Sequence, residues 1–63
     1  MGKQAVIYFK NGTKDWVDPI DDESRDVFYG DSVIIVTNGA NNKYVYDKFS
    51  VEKIEFIELD DGG

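Results

Sequence analysis

Thirteen carboxylates, with no histidine and no cysteine, set the chemistry open to this 63-residue chain. Six of those acids fall in DWVDPIDDESRD, Asp15 to Asp26, beside Trp16, Arg25 and the single proline, Pro19. Two chemistries would use such a cluster. Calcium takes oxygen ligands, and Asp18, Asp21, Asp22 and Glu23 could supply several. The spacing departs from D-x-[DN]-x-[DN]-G, however, and no glycine makes the sharp turn such a loop needs. Paired carboxylates can also act as acid and base when burial or a neighbour raises one pKa. That requires a cleft, for which so short a chain has little room. Ser24, Ser32 and Ser50 have no histidine to activate them. Gly12, Gly30 and Gly39 sit in turn-like contexts rather than in a phosphate-cradling loop. Without cysteine, disulfides, zinc ribbons, iron–sulfur clusters and thiol chemistry are excluded. The expectation is a chain that is not an enzyme, with no metal and no cofactor.

Binding is the other use for these residues. Trp16 lies in the same acid-rich stretch as Asp21, Asp22 and Glu23, and Tyr44 and Tyr46 could add an aromatic floor. SH3-type modules combine acids and aromatics in this way to hold proline-rich peptides carrying a basic residue. Their ALYDY-like motif and paired tryptophan are missing, and Trp16 could equally close one end of the core. If Val45 faces the core, Tyr44 and Tyr46 point outward, where tyrosine suits an interface because it joins an apolar ring to a polar tip. The competing reading is a cross-strand aromatic pair that only stabilises its sheet.

Charge narrows the partners. The net charge is −6. The acid-rich stretch, with its six carboxylates and Arg25, carries −5 of it, and seven carboxylates against six lysines leave −1 elsewhere. Phosphate backbones are bound through lysine and arginine, so direct contact with nucleic acid is disfavoured. Sm-like RNA binding would require Lys3, Lys10, Lys14, Lys43, Lys48 and Lys53 to converge on one face. The longest apolar runs, Ala5 to Phe9 and Val33 to Val36, are far too short to span a bilayer. No basic-plus-apolar leader precedes a cleavage-like site, and cysteine-free composition suits a reducing compartment. The expected setting is cytoplasmic, with no membrane contact.

Positioning any of these residues falls to short strands. Aromatic and β-branched residues recur in runs separated by turn signals, which predicts an all-β fold. Asn11-Gly12 between QAVIYFK and TKDWV predicts a hairpin of strands 4–10 and 13–18. A two-residue loop would set Ile7 opposite Trp16; a three-residue loop with a Gly12 bulge would set Val6 opposite Trp16. Pro19 cannot donate to a ladder, so the second strand ends there or lies at an edge. Gly30-Asp31 predicts a second hairpin, pairing 26–29 with 32–38. Residues 22–29 could instead start a short helix capped by Asp21 or Asp22, but no apolar staple supports it and a loop plus a short strand is preferred. VIIVTN is the core strand, Asn38 to Asn42 turns the chain into KYVYDKF, and Ser50 to Lys53 makes a single tight turn. The last strand, Lys53 to Leu59, slips in its alternation, which a bulge near Phe56 or a strand buried on both sides would explain. Residues 60–63 are expected to form a frayed tail.

A 63-residue chain is one domain, burying only about 60% of the surface its unfolded form exposes. Such a chain commonly gains stability by close packing or self-association. Five or six short strands would best remove their edges by coiling into an antiparallel barrel or compact sandwich, SH3-like or Sm-like. The succession of "VIYFKNGT", "DSVIIVTNG" and "FSVEKIEFIEL" resembles small uncharacterised proteins of Gram-positive phages and prophages. That resemblance implies a small all-β protein encoded among structural or accessory phage genes, in the host cytoplasm or in the virion, with no known catalytic residues. The expectation for function is a protein–protein interaction or assembly module that associates with itself. The alternative is an acidic inhibitor or nucleic-acid mimic, whose −5 stretch would enter the basic groove of a target.

Overall fold

The computed structural model describes residues 2–59, so the tail expected at 60–63 lies outside the described residues. The chain is all-β, with strands β1 (Lys3–Phe9), β2 (Lys14–Ile20), β3 (Val27–Tyr29), β4 (Val33–Thr37), β5 (Lys43–Asp47) and β6 (Val51–Glu58). One helical turn, α1 (Glu23–Asp26), precedes β3, and a 3-10 turn, Lys48–Ser50, precedes β6. The strands form two antiparallel three-stranded sheets, ordered β2-β1-β6 and β3-β4-β5. No closed barrel is found among the described residues.

The first hairpin takes the three-residue loop. Val6 lies opposite Trp16 and Ala5 opposite Val17. Phe9 N–H donates to the Thr13 carbonyl at 2.9 Å, and Gly12 N–H donates to the Phe9 carbonyl at 3.0 Å. Gly12 carries the bulge at φ 92°, a conformation that costs glycine little because it has no Cβ. The Asn11 side chain supports the turn, accepting from Thr13 N–H at 3.0 Å and Thr13 Oγ1 at 2.6 Å.

Pro19 falls inside β2 rather than beyond it, after a cis Asp18–Pro19 bond. Two features accommodate it. β2 is an edge strand, and the register shifts between Lys3 and Ala5, so that Asp18 and Pro19 together oppose Gln4. A bulge on an edge is where a residue without an N–H costs least. The Asn38–Asn42 turn docks here: Gly39 N–H donates to the Pro19 carbonyl at 2.8 Å.

Four sequence expectations need correction. The single turn expected over Ser50 to Lys53 is the 3-10 turn over Lys48–Ser50, capped by Asp47, and β6 already begins at Val51. Residues 22–29 hold both rival structures, the helical turn and then β3, because a single capped turn needs no apolar staple. The second hairpin turns one residue later than Gly30-Asp31: Tyr29 pairs with Ile34 and Gly30 N–H donates to the Val33 carbonyl at 2.8 Å. The turn residues are therefore Asp31 and Ser32. In β6 the bulge lies at Glu52, where the register against β1 shifts between Tyr8 and Phe9, and not near Phe56.

The core lies between the sheets. Ala5, Ile7, Val17 and Ile20 of the first sheet meet Val27, Ile34 and Val36 of the second, with Phe9, Tyr46, Val51, Ile54 and Phe56 packed around them. Phe9 and Tyr46 close one end, their rings 5.7 Å apart and tilted by 48°. No helix among the described residues is long and apolar enough to cross a membrane.

Candidate functional site

The acid-rich stretch is occupied by local structure. Asp22 caps α1, accepting from Ser24 N–H at 3.1 Å and from Ser24 Oγ at 2.7 Å. Asp26 reaches back to accept from the N–H groups of Asp21 and Asp22, both at 3.2 Å, in the manner of a capping box. Arg25 Nε donates to Asp26 Oδ1 at 3.0 Å. The Ser24 hydrogen bonds hold the Asp22 carboxyl below its ordinary range. The Arg25 bond, then the backbone donors, do the same for Asp26. Glu23 pairs with Lys3 at 3.3 Å, and Asp18 accepts from Gln4 Nε2 at 3.0 Å. Among the described residues no group of three or more acids is arranged to hold a metal ion.

Trp16 lies apart from the α1 cluster of Asp21, Asp22 and Asp26, on the outer face of the first sheet, and its backbone N–H donates to Asp15 Oδ1 at 3.1 Å. Strand alternation puts Gln4, Val6 and Tyr8 of β1 on that face, with Lys14 and Trp16 of β2 and Lys53, Glu55 and Ile57 of β6 beside them. Val6 is only 2% exposed although it points away from the core. Its neighbours across the strands, Trp16 and Glu55, flank it. Trp16 is itself 51% exposed. The Lys14 ammonium sits 5.6 Å from the Tyr8 ring centre and 5.8 Å from that of Trp16, and the Lys53 ammonium 4.8 Å from Tyr8. Tyr8 OH donates to Glu55 at 2.9 Å, and Lys53 reaches the same carboxylate at 3.4 Å. The tyrosine bond, seconded by Lys53, holds Glu55 below the carboxylate range, and the same bond pushes the Tyr8 hydroxyl up. Long charged chains thus lie over the aromatic rings of this face.

Tyr44 and Tyr46 point the other way from the arrangement in which Val45 faces the core. Tyr46 faces inward, and its OH donates to Asp15 Oδ2 at 3.0 Å across the two sheets. Burial, then that hydrogen bond, raises its pKa far above the ordinary 10.0. Tyr44 shares its face, at the rim, and Val45 is turned outward. The residues that sequence reasoning missed are therefore on the outer face of the second sheet. Phe28, Ile35 and Val45 form one row across β3, β4 and β5. Phe28 is 58% exposed and Val45 62%. The signal was present in the alternation of VFY and KYVYD, but alternation does not say which face is inner.

No protein-family model matches the chain, and no curated protein or solved structure matches it significantly. Function has to be read from the surfaces themselves. The lysines are dispersed: Lys14 and Lys53 on the first sheet's outer face, Lys3 on Glu23, Lys48 on the Gly30 carbonyl at 2.9 Å, and Lys43 near Thr37. A cleft of about 250 Å³ lies between the first hairpin and the 3-10 turn, lined by Phe9, Lys10, Asn11, Phe49 and Ser50. Among the described residues it presents the Lys10 ammonium, the Asn11 amide and the Ser50 hydroxyl.

Proposed function

We propose that this protein is a non-enzymatic protein–protein interaction or assembly module that associates with itself, in a cytoplasmic or virion-associated setting. The observation that carries the reading is the row Phe28–Ile35–Val45, an apolar band across a whole sheet with two of its three members more than half exposed. Contiguous apolar surface of this kind marks contact sites more often than scattered exposed residues do. A small chain without disulfides also gains stability by covering it. The finer fold assignment belongs with this proposal: the 3-10 turn ahead of a last strand that returns to β1 supports an SH3-like arrangement left open along its edges.

The acidic-mimic reading draws less support. Asp15, Asp18, Asp22, Glu23 and Asp26 each have a hydrogen-bonding partner within the chain, which reduces their freedom to match a foreign basic groove. Light scattering after size exclusion, over a rising micromolar series, tests the self-association reading. A mass of twice the chain or more is expected; a strict monomer throughout would contradict it.

A further inference from the structure

The four sheet edges differ in how they are guarded. An edge strand presents unpaired N–H and C=O groups, and proteins blunt it with proline, bulges, charges or brevity. β2 has Pro19 and a bulge. β6 has a bulge at Glu52 and the charges of Glu52, Lys53, Glu55 and Glu58. β3 is three residues long. β5, KYVYD, is five residues long, with no proline and no register shift against β4, and its two charges, Lys43 and Asp47, are of opposite sign at its two ends. Four of its five residues are exposed.

Hydrogen-bond parity shows which backbone groups of β5 face away from β4. Lys48 N–H donates to the Ser32 carbonyl and Asn38 N–H to the Asn42 carbonyl, each at 3.0 Å. Hydrogen-bonded pairs recur every second residue in an antiparallel ladder. With Ile34 opposite Tyr46 and Val36 opposite Tyr44, those tyrosines bond β4. The N–H and C=O groups of Lys43, Val45 and Asp47 therefore point away from the sheet.

KYVYD is complementary to itself when reversed. Placed antiparallel to a second copy with Val45 opposite Val45, it sets Lys43 against Asp47 of the second copy, and Asp47 against Lys43 of the second copy. Tyr44 falls beside Tyr46 of the second copy on the inner face. All three outward-pointing residues then lie in hydrogen-bonded pairs. Moving the axis to Lys43 or to Asp47 would bring two lysines or two aspartates together. Moving it to Tyr44 or Tyr46 would set Asp47 or Lys43 opposite a residue outside the strand, so charge and ladder length together select the register. The same register joins the two rows Phe28–Ile35–Val45 end to end, across β strands of both copies.

We infer that β5 pairs antiparallel with β5 of a second copy about a two-fold axis at Val45, joining two three-stranded sheets into one of six strands. The contact is isologous, so it closes at a dimer and leaves no β5 edge for further growth. The inference rests on the self-association reading and names its surface.

A charge-swap experiment tests it by sedimentation equilibrium on the full chain. K43E sets a carboxylate against Asp47 of the second copy, and D47K sets an ammonium against Lys43 of the second copy. Each should weaken self-association by at least about tenfold. Mixed in equal amounts, the two variants offer one all-acidic and one all-basic strand, and should recover wild-type affinity as a heterodimer. Asp47 also caps the 3-10 turn, accepting from Phe49 N–H at 3.1 Å. Should D47K fail to fold by circular dichroism, K43E and V45P carry the test. Both leave the cap intact, and the N–H that proline removes at 45 makes no bond to β4. Loss of dimer in both supports the inference. A wild-type dimer indifferent to these substitutions overturns the β5 contact and leaves self-association standing. A wild-type monomer at every concentration overturns both.

Discussion

The two sheets have the same number of strands, yet they treat their outer faces differently. On the first sheet, Val6 points outward from the central strand and is nevertheless buried, with Trp16 and Glu55 beside it and Lys14 and Lys53 laid over the neighbouring rings. On the second, Ile35 occupies the equivalent central place, and its flanking residues, Phe28 and Val45, stay largely in solvent. The edges follow the same division, with proline and bulges on the first sheet and a β5 that has neither on the second. Long amphipathic side chains can finish a sheet face without another layer. Where they are lacking, a face and an edge remain with unused capacity to bind.

Core truncations should separate the sheets most strongly. Ile7→Ala, at a fully buried position of β1, is expected to cost about 2–5 kcal/mol, which approaches the whole stability of a chain this small. Ile35→Ala on the second sheet's outer face should cost about 1 kcal/mol or less in the monomer. Urea unfolding followed by circular dichroism measures both. Equal losses in dilute solution would mean that Ile35 is as well covered as Ile7, and the contrast between faces would be gone.

The link between the sheets gives a smaller effect. Tyr46→Phe removes the bond to Asp15 and should cost about 1 kcal/mol. Because the Tyr46 pKa is raised in the fold, its contribution is fully present below the ordinary tyrosine value of 10.0 and is lost as pH rises beyond it. The variant should therefore unfold less steeply with alkali than the wild type. An unchanged alkaline profile would detach Tyr46 from the stability of the interface between the sheets.

The smallest effect belongs to the acid-rich turn. Asp22 and Asp26 have lowered pKa values, by hydrogen bonds from Ser24 and from Arg25 respectively. A lowered folded value gives stability that is present above the unfolded value, near 3.8, and lost as pH falls through the folded one. Asp22→Asn with Asp26→Asn should flatten the loss of stability below about pH 4, measured as thermal midpoint against pH. A profile as steep as that of the wild type would place the acid sensitivity elsewhere.

Local chemistry was the legible part of the sequence. Asn11-Gly12 announced the first hairpin, and one of its two readings has the register found. Pro19 marked an edge, and the apolar run of β4 marked a central strand. What depended on distant packing was not legible. KYVYD alternates cleanly, but whether Val45 or the tyrosines face inward is decided by Phe9 and Asp15, far away along the chain. The turn at Asp31-Ser32 escaped because Gly-Asp is the stronger pair in isolation, while pairing of Tyr29 with Ile34 sets the true position. The acid-rich stretch looked like a site because its charge is visible in sequence and its internal hydrogen bonds are not.

Hydrogen exchange of the β5 amides reads the central claim directly. The N–H groups of Tyr44 and Tyr46 face β4 and should be protected at every concentration. Those of Lys43, Val45 and Asp47 face the free edge: they should exchange rapidly in dilute solution and become protected as concentration rises, with the same midpoint as the gain in mass. Rapid exchange at all three while the protein is fully associated would contradict the account.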